Sequence, residues 1–412
     1  MRRQPSIHFI SAPHRLGLLA AALIFFVVGV IYGLGQIYVM FSAVVALPVA
    51  SYLVGWWTLR GLRVRRSMPA EAAEGETVPV KLTVANPGRF GRFLFRLEDR
   101  LPEWLASGRP GGVVQRLMGG EQETLAYSLR PTRRGVYQVG PVALTTTDPA
   151  GLFRFGRHAG EAAELVVYPA PVPVPEVRVG GDPTVGGREP TRRPAQDGTD
   201  FHSVREYMPG DDLRRIHWKS TARLGVFNVL EFEQSLSGGV TVVLDLDPAG
   251  DLGEGRRNTL EYAVKLAAGV VQQALMRGVV CRFVAQGEQD RSVRAVRGRA
   301  DIATVMDALA RVQADGPRPV SEVAAAATER LRPGATVVVI TAVPDPALPA
   351  VVGGLKRRGA RVTVVLLRGD SFARDAPSQP LYESAVRSLV RTGADVHQVY
   401  AFDGRFEAGR ER

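Results

Sequence analysis

The chain has 412 residues, 45% of them hydrophobic, with one cysteine and a formal net charge of +11. That length exceeds one ordinary domain and predicts two soluble units plus a membrane segment, while a lone cysteine excludes an internal disulfide framework or a cysteine zinc site. The charge is uneven: residues 1–66 carry seven Arg and no Asp or Glu, leaving 45 basic side chains against 41 acidic ones, a near balance that argues against a nucleic-acid footprint.

From Leu16 to Leu59 the chain has no Asp, Glu, Lys, Arg or His. One crossing takes about 20 residues, so this run predicts two membrane helices joined at Tyr32-Gly33-Leu34-Gly35-Gln36. Trp56 and Trp57 fall at its end, where indoles favour the headgroup zone. Arg2, Arg3 and Arg15 flank the start, and Arg60, Arg63, Arg65 and Arg66 flank the exit. The positive-inside rule then places both ends, and the soluble remainder, on the cytoplasmic side. Residues 1–66 read as this hairpin with its basic flanks.

Residues 67–175 read as a small β-sandwich. Val78, Val80, Leu82 and Val84 alternate before the Asn86-Pro87-Gly88 break, and Leu125, Tyr127 and Leu129 alternate before Pro131. Pro171, Pro173 and Pro175 lead into a Gly- and Pro-rich linker over 176–197, expected to be disordered from about residue 179.

Residues 198–236 concentrate aromatic and charged side chains. Arg205, Glu206 and Tyr207 form an extended approach, and Pro209 and Gly210 a turn. Asp211 or Asp212 caps a helix expected to run to about Leu224, with Lys219 and Arg223 toward its negative end and Gly225 terminating it. Arg205, Glu206, Asp211, Asp212 and Arg214 offer either an ion-pair network, a docking surface or an acid–base set. Trp218 is expected to dock the helix onto the sheet, and Asn228 to Phe232 to leave as a strand. The string Arg205, Glu206, Tyr207, Pro209, Gly210, Asp211, Asp212, Arg214, Ile216, Trp218, Ala222, Arg223 resembles the signature of the bacterial family catalogued as domain of unknown function 58. Arg134-Gly135-Val136-Tyr137 and Asp148-Pro149-Ala150-Gly151-Leu152-Phe153 resemble two further strings common in such proteins.

Residues 237–404 alternate apolar strands and helices. Strands are expected at Val240 to Leu244, Val279 to Ala285, Thr336 to Thr341, Arg361 to Leu367 and Val396 to Ala401. Helices are expected at about 257–276, 301–312, 321–331, 347–358 and 382–392. Uniformly apolar strands in this rhythm indicate a doubly wound α/β sheet covered on both faces, and the pattern resembles a von Willebrand A-type domain. Cys281 reads as a small core residue, and 405–412 as a solvated tail.

Ligands of such sheets bind at the carboxyl ends of the strands, where Asp245, Asp247, Thr341, Asp345, Asp370 and Asp403 fall. The resemblance implies a hard divalent cation, Mg or Ca, held through oxygen; Asp245, Asp247, Thr341 and Asp345 are the candidate ligands. This chain has Asp245-Leu246-Asp247-Pro248-Ala249, so both serines of the family's Asp-x-Ser-x-Ser string are missing. The alternative is that these Asp simply end strands and start turns. The six histidines are scattered, and no Walker A, Gly-x-Ser-x-Gly or dinucleotide string occurs.

Two functional expectations follow, beside a third in which the basic cluster Arg60 to Arg66, instead of only setting topology, holds anionic lipid as part of a membrane-surface scaffold. The resemblance implies a membrane adaptor or scaffold, not an enzyme, in the bacterial inner membrane, working with a MoxR-type AAA+ ATPase in chaperone-like assembly or cell-envelope maintenance. The alternative is a cytoplasmic metal-dependent hydrolase using the strand-end carboxylates.

Overall fold

The computed structural model describes residues 6–9, 12–172, 174, 200–207, 216–233, 239–255, 257–296, 301–329, 331, 334–373 and 379–401. Two units separate at the Ala170/Pro171 bond.

The first unit begins with a short strand, β1 (Ser6–Phe9), followed by two apolar helices, α1 (Ala12–Tyr32) and α2 (Gly35–Leu59). Its remaining strands are β2 (Arg63–Ser67), β3 (Glu71–Ala73), β4 (Val78–Ala85), β5 (Arg92–Asp99), β6 (Leu105–Ser107), β7 (Gly111–Leu117), β8 (Gln122–Pro131), β9 (Gly135–Val139), β10 (Val142–Thr147), β11 (Phe153–Ala159) and β12 (Ala163–Tyr168). They form sheets of order β1-β11-β10-β5-β7, β2-β4-β8-β6 and β3-β12-β9. The alternation read in β4 is the core-facing set, since Val78, Val80, Leu82 and Val84 are all buried. Two apolar clusters fill the space between sheets, one around Leu82, Phe95, Val114, Leu144 and Phe155, the other around Val80, Leu105, Leu129 and Leu165.

Helix α2 is long and apolar enough to cross a membrane, and α1 supplies a shorter apolar stretch, Leu16–Tyr32. The helices pair, with Phe26 and Phe41 ring centroids 5.5 Å apart. The end of α2 is built into the sandwich: Leu59 joins its core, and a Cβ on Gly55 would lie 2.2 Å from the Phe155 ring. Two expectations change here. Arg63, Arg65 and Arg66 are part of β2 and not merely a flank of the hairpin, and β1, which no sequence pattern announced, pairs antiparallel with β11 from Ser6↔Gly156 to Phe9↔Phe153.

The second unit opens with a hairpin, β13 (Asp200–Glu206) and β14 (Asn228–Glu233), enclosing α3 (Trp218–Leu224). Then come β15 (Val240–Leu244), the two-residue strands β16 (Gly253–Glu254) and β17 (Arg257–Asn258), α4 (Thr259–Met276), β18 (Cys281–Val284), β19 (Val293–Val296), α5 (Ile302–Arg311), α6 (Val320–Ala327), β20 (Thr336–Thr341), α7 (Leu348–Arg357), β21 (Arg361–Leu367), α8 (Gly369–Phe372), α9 (Gln379–Arg391) and β22 (Asp395–Val399). The sheet order is β19-β18-β15-β20-β21-β22, parallel throughout except for the antiparallel edge β19. Every residue of β15 and β20 is buried, which is why these strands read as unbroken apolar runs. Helix α4 starts where Asn258 Oδ1 accepts from the Leu260 and Glu261 N–H groups at 2.7 and 3.3 Å. Cys281 is buried in β18, and burial pushes its thiol up to about 12. The linker over 176–197 and the tail over 405–412 lie outside the described residues.

Candidate functional site

Parallel strands β15 and β20 deliver Asp245 and Thr341 to the same edge, because Leu244 and Ile340 are in register. Thr341 Oγ1 donates to Asp245 Oδ2 at 2.6 Å, and the Asp247 N–H donates to Asp245 Oδ1 at 3.0 Å. These residues line a cavity of about 10 Å³ with Asp251, Thr259, Leu260 and Ala342, room for about one water. Burial is the main cause that pushes the Asp245 carboxyl up to about 6. The hydrogen bonds from Thr341 and Asp247 oppose it, and the charges of Asp247 and Asp345 add to it.

The other two candidates are committed to backbone. Asp247 Oδ1 accepts from the Ala249 N–H at 2.9 Å and caps the short 3-10 turn over Pro248–Gly250. Asp345 bridges two helix starts: Oδ2 accepts from the Ser321 N–H in α6 at 3.0 Å, and Oδ1 from the Ala347 N–H ahead of α7 at 2.8 Å. Burial would raise the Asp345 carboxyl, but the hydrogen bonds from Ser321, Ala347 and Leu348 outweigh it and hold the group below its ordinary value.

A hard-cation cage needs several oxygens free to converge. Here Thr341 and Asp245 face each other directly, Asp345 serves the helix termini, and no three His, Cys, Asp or Glu among the described residues are grouped to hold an ion. The residues present therefore fit the turn-and-cap reading of these carboxylates better than a metal centre. Asp370 is likewise occupied, pairing with Arg368 at 2.7 Å, while Arg368 also donates to Gln398 at 2.9 Å and lies between the Tyr382 and Tyr400 rings. Asp403 lies outside the described residues. The Arg368 cluster was invisible in sequence because its partners come from three separate elements.

The aromatic-basic segment folds differently from its sequence expectation. Helix α3 starts at Trp218, not near Asp211; Ile216 instead bridges Val229 beside β14 and is buried. His217 stands at the helix start, with Nδ1 2.7 Å from Ser220 Oγ and its N–H donating to the Asn228 carbonyl at 2.8 Å. Gly225 ends the helix at φ 74°, in the left-handed region its sequence position implied. The docking role expected of Trp218 is overturned: it is 66% exposed. Lys219 and Arg223 are exposed on the same short helix. Arg205 pairs with Val229, and Glu206 with Asn228, in the β13–β14 ladder. Gly210, Asp211, Asp212 and Arg214, and with them the proposed ion-pair network, lie outside the described residues.

The segment also exposes apolar side chains. Trp218, Val226 and Phe227 are all exposed, and Tyr207 packs edge-on against Phe227 with centroids 6.3 Å apart. Glu206, Tyr207, Thr221, Ala222, Gly225, Val226 and Phe227 line an open cleft of about 560 Å³. Glu206 and Thr221 are the polar members of this lining, and its apolar remainder suits an inserted side chain.

Comparison with known proteins agrees with the signature. The chain is 24% identical over 370 residues to "Uncharacterized protein YeaD" of Bacillus subtilis (strain 168), covering 86% of this chain and 89% of the relative. Among solved structures, the CARDB domain of PF1109 from Pyrococcus furiosus matches 26% of this chain and 93% of its own at 16% identity, with a TM-score of 0.18. The cupredoxin domain of amoB from Nitrosocaldus yellowstonii matches 29% of this chain and 95% of its own at 12% identity, with a TM-score of 0.19. Residues 203–370, which contain α3, the strand-end carboxylates and most of the parallel sheet, match the model of the family described as "Protein of unknown function DUF58", and the chain carries that family's domain there.

Proposed function

We propose that the protein is a membrane-anchored adaptor whose DUF58 segment docks a partner, a MoxR-type AAA+ ATPase being the partner that the family resemblance implies. The observation that carries the interaction reading is the cleft lined by Tyr207 and the exposed Val226 and Phe227, together with the exposed Trp218 on α3. Aromatic side chains held on a short, capped helix and a hairpin are what a docking surface needs, since little order must be gained on binding. We further read the second unit as a von Willebrand A-type domain; the order β19-β18-β15-β20-β21-β22 with one antiparallel edge supports that. The basic flanks of α1 and α2 support a two-crossing hairpin in the bacterial inner membrane with both termini in the cytoplasm.

The test is recovery of the tagged full-length protein from native membranes in mild detergent, with ATP or a non-hydrolysable analogue, and mass spectrometry of what accompanies it. The expected result is an AAA+ ATPase whose yield depends on nucleotide and falls when Trp218 and Phe227 are both changed to Ala. Reproducible absence of any such ATPase would remove this partner. The alternative, a metal-dependent hydrolase on Asp245, Asp247, Thr341 and Asp345, has against it that these oxygens are engaged with one another and with backbone N–H groups. Metal-dependent turnover lost in Asp245→Asn would establish it.

A further inference from the structure

The sandwich has an apolar rim at the end where α2 joins it. Phe90 is 67% exposed, Phe93 50% and Leu94 64%, with Met118 exposed beside them. The loop between β4 and β5 holds this rim in place through a buried side chain: Asn86 Nδ2 donates to the carbonyls of Phe90, Leu117 and Met118 at 2.8, 3.1 and 3.2 Å, while Asn86 Oδ1 accepts from the Gly88 N–H at 3.1 Å. Rings displayed by a loop with its polar groups satisfied inside are a fixed surface.

The alternation of β5 breaks at the same place. Arg92, Phe95, Leu97 and Asp99 are buried, so Leu94 falls out of step and faces outward together with Phe93. Leu94 has φ 50°, a left-handed backbone that costs a leucine energy and signals a constraint beyond the ladder itself.

Position supplies the occupant. The Trp57 and Phe90 ring centroids lie 6.0 Å apart, the Arg92 guanidinium lies 4.6 Å from the Trp57 ring and the Arg60 guanidinium 4.4 Å from the Trp56 ring. Indoles and guanidinium groups at the end of an apolar helix mark the level of lipid headgroups. The segment from Ala85 to Leu97 adds the exposed Arg89 and Arg96 and contains no Asp or Glu, which matches an anionic surface.

We infer that Phe90, Phe93 and Leu94 seat this rim of the sandwich in the headgroup zone of the bilayer beside α2. The inference rests on the reading of α1 and α2 as membrane helices. Seated this way, the sandwich is fixed to the membrane at a second point besides the helix.

The test uses the full-length chain in vesicles of mixed zwitterionic and anionic lipid. Cys281→Ala serves as background, and an environment-sensitive fluorophore is placed singly by Phe93→Cys, Leu94→Cys, Leu23→Cys in the middle of α1, or Ala126→Cys on the outer face of β8. Each variant is used once its melting matches the background; Phe90→Cys replaces either rim site that fails to fold. Quenching is read with a nitroxide on lipid, placed near the headgroup for 93, 94 and 126 and deep in the acyl chain for 23, and with aqueous iodide. The expected result is that labels at 93 and 94 are quenched by the lipid nitroxide and severalfold less than 126 by iodide. If 23 is lipid-quenched while 93 and 94 are as open to iodide as 126, the rim stands in water and the inference fails with the membrane helices intact. If 93 and 94 are shielded from both quenchers, a protein surface covers them and the inference also fails. If 23 itself escapes lipid quenching, the membrane reading falls and takes the rim with it.

Discussion

Thr341 Oγ1 and Asp245 Oδ2, 2.6 Å apart, tie together the carboxyl ends of two neighbouring parallel strands in the second unit. Thr341 also accepts from the Val343 N–H at 3.0 Å, so one hydroxyl organises both the strand end and the turn that follows. The bond places a carboxylate where water reaches it poorly, and that sets its response to pH.

Because Asp245 titrates near 6 in the folded chain against an ordinary 3.8, the folded state keeps a proton that the unfolded state has already lost between those values. Its contribution is a cost, absent below about pH 4 and complete above about pH 7, of about 3 kcal/mol. Asp245→Asn is therefore expected to melt above the parent at pH 8, with the gap closing toward pH 4. Thermal melts of both proteins across this range check it; a gap that widens in acid would contradict the assignment.

Asp345 responds in the opposite sense. Its carboxylate is held below the ordinary value by its hydrogen bonds to the α6 and α7 starts, so its stabilisation is present above the unfolded pKa and is lost as pH falls through the folded one. Asp345→Ala is expected to cost about 1–2 kcal/mol at pH 7, the range for losing a helix cap. Hydrogen exchange should show the added opening at Ser321 and Ala347 first.

In the first unit, Asp99 accepts from Arg66 Nε at 2.8 Å, Arg66 Nη2 at 2.5 Å and the Tyr127 hydroxyl at 2.7 Å. Both charged side chains are nearly inaccessible. Asp99→Ala leaves a buried guanidinium unpaired and is expected to cost about 3–5 kcal/mol, whereas Asp99→Leu with Arg66→Met should recover much of it. Chemical denaturation of the single and double variants separates these outcomes.

Gly55 permits α2 to lie against Phe155, since any Cβ there would sit 2.2 Å from the ring. Gly55→Val is expected to destabilise the helix–sandwich junction by about 1–3 kcal/mol, visible as faster proteolysis after Leu59. Unchanged proteolysis would mean that the junction adjusts freely.

Trp218→Ala is expected to leave melting within about 0.5 kcal/mol of the parent, because a largely exposed ring contributes little to folding. A strong loss of stability would restore the docking role inside the unit that its exposure denies.

The sequence by itself determined the parts that local pattern encodes. The strands at Val240–Leu244, Thr336–Thr341 and Arg361–Leu367 match the apolar runs that announced them, since a strand covered on both faces has no room for polar alternation. The long apolar run before Arg60, the alternation in β4 and the glycine that ends α3 were legible for the same reason: each is a property of consecutive residues. Only the tertiary structure decided what stands opposite what. Asp345 reads as a possible ligand until Ser321, 24 positions earlier, is seen to claim one of its oxygens. Trp218 reads as a core anchor until Ile216 takes the buried place against Val229 and turns the indole outward. The strand Ser6–Phe9 has no signal of its own, because its stabilising partner, β11, lies almost 150 residues further along the chain. Burial and periodicity are written locally; the partner of a carboxylate, a ring or an edge strand is fixed only when distant segments meet.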